Sequence, residues 1–156
     1  AASECADIFF AKFERAGDSS GPTRQNYAKE MFMDLADGFF MNKSAYERLN
    51  SLYDFEVIDR LIDNGLMFGC ITDGSKGANV YTKKGIYHKD SNKVEVIDST
   101  GAGDSFAGCF LHFLDKGLSV EKCLEYASAH GALACTRNGG MGGAVREEEL
   151  FSFMEI

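Results

Sequence analysis

No stretch of this chain approaches the roughly 20 apolar residues of a membrane-spanning helix, and no basic-then-apolar leader opens it. Basic residues are scarce, with 16 Lys and Arg against 24 Asp and Glu and a net charge of −8. A nucleic-acid backbone or an anionic membrane surface would need a basic field, so both are excluded as partners. A small anion stays compatible, because local N–H groups can hold it against the global charge. The five cysteines (Cys5, Cys70, Cys109, Cys123, Cys135) are an odd set without C-x-x-C spacing, which suits reduced thiols in a cytoplasmic protein better than disulfides or zinc. Repeats and low-complexity runs are absent, and proline occurs once, at Pro22. Three common signatures are also missing: G-x-x-x-x-G-K-[ST], GxGxxG and HExxH. P-loop chemistry is thereby excluded by pattern.

What is present is ample for a folded core. Hydrophobic residues make up 45% of 156 residues, enough for one domain or part of one. Ala1 in place of Met points to processing, trimming or a fragment. Ala6 to Phe13 is a short apolar-rich piece, Arg15 to Arg24 reads as a loop and Gln25 to Leu35 as a helix. Gly38 to Met41 reads as a buried strand ending at Asn42, and Ser44 to Leu49 and Glu56 to Asn64 read as helices, the second capped by Gly65. Met67 to Thr72 is the next strand, followed by a turn over Asp73 to Gly77. Ala78 to Thr82 and Ile86 to His88 form a hairpin around the turn Lys83-Lys84-Gly85. The β-branched Val94, Val96 and Ile97 predict a further strand. Val120 to Thr136 reads as a helix rich in small residues, Asn138 to Gly143 as a glycine loop and Glu147 to Met154 as a closing helix. Alternating strands and helices predict an α/β layered fold with a mainly parallel sheet, and ligands in such sheets bind at the carboxyl ends of strands.

One stretch concentrates the chemistry. Asp98 to Gly108 reads DSTGAGDSFAG, with Phe106, Phe110, Phe113 and Leu114 recurring at helical spacing behind it. Gly101 and Gly103 free the turn sterically, and the helix start points unpaired N–H groups and a positive dipole end at one spot. An aspartate there is an odd choice for plain anion binding, since it repels phosphate. The residues alone leave Asp104 either as a helix N-cap or as a functional carboxylate.

The run closely resembles the second signature of the ribokinase-like carbohydrate kinases of phosphofructokinase-B type. Phe68 to Gly77 (FGCITDGSKG), Asp37 to Asn42 (DGFFMN) and Ala132 to Gly140 (ALACTRNGG) resemble further segments of that family, in the same order. The resemblance implies a ribokinase-like layered fold and transfer of the γ-phosphoryl group of ATP to a sugar hydroxyl. It implies that Asp104 is the general base and that the backbone at Gly101, Ala102, Gly103 and Asp104 forms an anion hole. It places Thr72, Asp73, Gly74, Ser75, Lys76 and Gly77 in the turn that contacts ATP, with an ordinary Asp-Gly turn as the other reading. Ser128 takes the position beside adenine or is a packed small residue. Asn42 is the metal-associated asparagine for Mg2+. Asp98, Thr100, Ala134, Arg137 and Gly139 match positions that in many relatives offer oxygens to K+, with plain loop backbone as the alternative; Gly143 replaces a residue that gives a hydroxyl in some relatives. His88, His112 and His130 read as isolated surface residues and the Met and Phe residues at 31–33 and 39–41 as core.

Two departures stand out. The family's N-x-x-E ends here in Ala45, so the glutamate that helps organise magnesium is missing. Family members are also longer, and the Gly-Gly signature, sugar-binding residues and lid strands of their N-terminal half have no counterpart here. Residues 1–156 therefore read as the C-terminal nucleotide-binding and catalytic part of a carbohydrate kinase domain. The expected partners are ATP and a small sugar or related alcohol, with a homodimer left open. A nucleoside kinase of the same family, or a catalytically weak nucleotide-binding regulatory protein, is the alternative.

Overall fold

The structure, a computed structural model, describes residues 10–12, 36–139 and 145–155. The expected loop at 15–24, the expected helix at 25–35, the Met residues at 31–33 and Gly143 lie outside them. The described elements run β1 (Phe10–Lys12), β2 (Gly38–Asn42), α1 (Lys43–Asn50), α2 (Val57–Asp63), β3 (Phe68–Thr72), a 3-10 turn (Gly74–Lys76), β4 (Ala78–Thr82), β5 (Gly85–Lys89), α3 (Ala102–Asp115), α4 (Val120–Ala134) and α5 (Glu147–Phe153). The strands lie in the order β1-β2-β3-β4-β5. β1 pairs parallel with β2, Phe10 opposite Gly38. Helices α1 and α2 supply the long crossover to β3 that parallel neighbours need, whereas five residues join β3 to β4 and two join β4 to β5, lengths that only antiparallel neighbours allow. The described sheet is thus mixed, parallel at β1–β2 and mostly antiparallel elsewhere. The sequence predicts a mainly parallel one, but short connections force neighbouring strands to run opposite ways.

The chain divides into two units, 1–71 with 81–86, and 72–80 with 87–156. In the first, Phe39 and Met41 of β2 bury with Val57, Ile58 and Leu61 of α2 and Ile71 of β3. α2 starts without a side-chain cap of its own. Instead Asn50 Oδ1 accepts from Val57 N (2.8 Å), while Asn50 Nδ2 and Tyr46 OH donate to the two Glu56 carboxylate oxygens. Gly65, φ 108°, closes the helix in a conformation that glycine tolerates.

In the second unit, Phe106, Cys109, Phe110 and Phe113 of α3 are buried, as are Cys123, Leu124, Ala127, Ala129 and Ala132 of α4. The small residues of α4 let the helices approach closely: a Cβ on Gly131 would stand 3.3 Å from the Ala102 carbonyl oxygen. α5 adds Leu150 to the buried set and stacks Phe151 near Phe113 and Tyr126. Cys70, Cys109, Cys123 and Cys135 are free thiols. Burial pushes Cys109 up to about 12 and Cys123 up to about 11, so both stay protonated. No helix among the described residues is long and apolar enough to cross a membrane.

One expected strand is absent. Residues 90–96 join no ladder, and Val96 and Ile97 are 61% and 58% exposed. β-Branched side chains suit a strand only where a neighbouring strand and a half-buried face receive them. Here the backbone anchors are two bonds, from Ile97 N and Asp98 N to the single Cys135 carbonyl (2.8 and 3.1 Å).

Candidate active site

The turn before α3 is built from its own backbone. Gly101 sits at the N-cap with φ 77°, a left-handed conformation that costs other residues about 1–2 kcal/mol. The first intrahelical bond runs from Ser105 N to Gly101 O (2.9 Å), and Ala102 N donates back to Ser99 O (3.2 Å). The helix begins at Ala102, so Asp104 is its third residue and the N-cap position belongs to Gly101. Asp104 is exposed, beside the N–H groups that a first helical turn leaves without helical acceptors. It lines a groove of about 650 Å3 together with Ser105 and His112 of α3, His130 of α4, Val145 and Glu147.

Asp98 clasps two loops together. Its Oδ1 accepts from Thr100 N and its Oδ2 from Gly139 N, both at 2.9 Å. Hydrogen bonds from Thr100, then from Gly139, hold its carboxyl below the ordinary carboxylate value. Of the residues matched to a K+ site, hydrogen bonds thus bring Asp98, Thr100 and Gly139 together. Ala134 ends α4, next to Cys135, whose carbonyl holds Ile97 and Asp98. Arg137 pairs with Glu149 at 2.9 Å.

Thr72 ends β3, and the following turn closes on itself: Asp73 N donates to Gly77 O (2.8 Å), Lys76 N to Asp73 O (3.0 Å) and Gly77 N to Gly74 O (3.1 Å). Ser75 and Lys76 are exposed at its tip. Ser128 is buried in α4, 7% exposed, and its Oγ has no hydrogen-bond partner among the described residues. Asn42 belongs to the first unit and caps α1, its Oδ1 accepting from Ala45 N at 2.8 Å.

The histidines are less isolated than their spacing suggests. His88 bridges Asn79 and Asp90, and His112 lies 3.6 Å from Glu147. His130 is half-buried, with Nε2 at 3.2 Å from the Val145 carbonyl oxygen. A histidine set among Ala and Gly on an otherwise buried helix is the one sequence signal that could have singled it out.

The α/β fold leads a glycine turn into a helix start and sets Asp104 beside a helix N-terminus that favours anions. The family model for pfkB carbohydrate kinases matches residues 15–146, and the chain belongs to that family. A nucleoside kinase of Methanocaldococcus jannaschii is 39% identical over 107 residues, 66% of this chain and 35% of its own. An ATP-dependent ribose-1-phosphate kinase of Halopiger xanaduensis is 37% identical over 132 residues, 85% of this chain and 41% of its own. A Xylella fastidiosa fructokinase solved with bound ATP shares the fold at a TM-score of 0.83 and 22% identity, over 94% of this chain and 51% of its own. The chain thus spans about a third to a half of the length of these relatives.

Proposed function

We propose that this chain is the nucleotide-binding and catalytic part of an ATP-dependent kinase that phosphorylates a hydroxyl of a sugar or nucleoside. The observation that carries the reading is Asp104 in the first turn of α3, exposed and lining a groove with His130 and Val145. An acceptor hydroxyl seated between Asp104 and the γ-phosphate would give its proton to the carboxylate as the new P–O bond forms. The helix dipole and the first-turn N–H groups favour the charge that grows on the equatorial oxygens. The turn over Thr72 to Gly77 and the α4 segment with Ser128 are the nucleotide side by resemblance, and Ser128 Oγ is a buried hydroxyl still able to bond.

Magnesium, when bound with ATP, neutralises phosphate charge. Among the described residues no group of three His, Cys, Asp or Glu could hold a metal ion. Asn42 offers one amide oxygen that already accepts a bond, and Ala45 offers no carboxylate. These donors fit an ion held chiefly by the nucleotide's phosphates. The same Ala45 favours a second reading, a nucleotide-binding protein of weak activity.

Asp104→Asn in the full-length protein decides between them. Removing a base lowers kcat by roughly 10²-fold or more and leaves ATP affinity nearly intact, because the loss falls in the transition state. ADP release is measured with ribose, fructose and nucleosides as acceptors, and ATP binding by calorimetry. Near-normal turnover of the variant overturns the base assignment. A wild-type protein that binds ATP and phosphorylates none of them supports the second reading.

A further inference from the structure

His130 stands on α4 with Ala127, Ser128, Ala129, Gly131 and Ala132, all buried, around it. Its Nε2 faces the Val145 carbonyl oxygen, which can only accept, so in the neutral ring Nε2 carries the proton. Nδ1 is then an acceptor, buried and without a hydrogen-bond partner among the described residues. The Ser105 carbonyl lies near enough to favour the charged ring, yet burial is the larger influence and holds its pKa below the ordinary histidine value. A neutral imidazole has one N–H for these two carbonyls, and Val145 takes it.

A buried nitrogen without a partner is costly, and alanine would avoid the cost. The bond made by the other nitrogen joins two pieces of the site. Gly131, the next residue, packs against the Ala102 carbonyl at the first turn of α3. Val145 leads into α5 and lines the groove with Asp104 and Ser105. The polar links from α5 to its neighbours include Lys116–Glu147 (3.0 Å), His112–Glu147 (3.6 Å) and Arg137–Glu149 (2.9 Å). All three involve exposed side chains, and such pairs contribute little and are screened by salt.

We infer that His130 is a positioning residue, whose ring ties Val145 to the helix beneath the first turn of α3 and so fixes the groove wall beside Asp104. This rests on the reading of Asp104 as the base. The test uses His130→Ala and His130→Gln in the full-length protein, since a glutamine amide can still donate to a carbonyl. Loss of positioning lowers kcat of the alanine variant about 10- to 100-fold. KM for ATP changes less than about twofold, and the glutamine variant recovers most of the rate. Independently of activity, hydrogen exchange in the alanine variant accelerates together at the hydrogen-bonded amides of Ala102, Ser105 and Arg146, while the α3 core at 109–113 keeps its protection. Unchanged exchange at Ala102 and Ser105 overturns the positioning role. So does an equal fall of kcat in both variants that tracks their melting temperatures. If the wild type phosphorylates nothing, the base assignment fails, and the exchange pattern still decides what His130 holds.

Discussion

Gly139 donates its backbone N–H to the Asp98 carboxylate at 2.9 Å across 41 residues of sequence. The other carboxylate oxygen takes the Thr100 N–H, so one side chain sets the glycine turn before α3 against the loop after α4. These bonds hold the native pKa of Asp98 below its ordinary value, and in the unfolded chain it returns to about 3.9. The unfolded state then binds more protons in the acid range, so stability rises with pH there. The contribution is complete above about pH 4 and disappears as pH falls through the native value. Asp98→Asn removes this share of the acid sensitivity and sets an amide N–H2 against one of two N–H donors. Denaturant midpoints between about pH 3 and 6 and exchange at Gly139 measure both effects. An unchanged midpoint–pH curve rejects the clasp.

The same clasp brings Asp98, Thr100 and Gly139 to one place beside the glycine turn before α3. A monovalent cation ringed there by backbone oxygens would set the turn geometry and offset developing charge. The full-length protein is expected to turn over faster in potassium than in sodium, and slowest in a bulky organic cation at fixed ionic strength. Equal rates in all three rule the cation site out.

Gly77 carries φ 92°, and a Cβ there would collide with the Lys89 carbonyl oxygen, a backbone atom that cannot swing away. Gly77→Ala is therefore expected to lower stability by at least about 1–2 kcal/mol. Gly74→Ala is a partial control, since its φ of 53° is also positive but its Cβ would meet open space. Chemical denaturation of both variants checks the ranking, and a Gly77→Ala variant as stable as wild type contradicts it.

Asn42 caps α1, its Oδ1 accepting from Ala45 N–H. Asn42→Ala is expected to cost about 1 kcal/mol, and Asn42→Asp to keep the cap. If Asn42 also serves the nucleotide's magnesium, the alanine variant shows a raised magnesium requirement in turnover as well. Thermal melts and magnesium titrations separate the two roles.

Much of the chain could be read locally. β2, β4, α1 and α2 fall within a residue or two of their expected spans because period, cap and turn residues act over short separations. The β4–β5 hairpin stands where expected, its connection one residue shorter than the expected Lys83-Lys84-Gly85 turn because Gly85 opens β5. Val94 to Ile97 misled because β-branched residues describe a strand only where partners exist. His130 misled because exposure of a helix face depends on what packs over it, here Val145 from 15 residues away.

Sequence alone settled the alternation of elements from Gly38 to Thr82, the sterically free glycine turn at Gly101 and Gly103, and the placing of Asp104 at the start of the helix behind it. Each follows from steric and hydrogen-bonding rules that operate within a single turn. Tertiary structure alone decided that Asp98 would bind Gly139, that Ser128 would be buried and that His130 would reach Val145. Those outcomes depend on which distant backbone groups packing brings within hydrogen-bond range, and no local pattern encodes that distance.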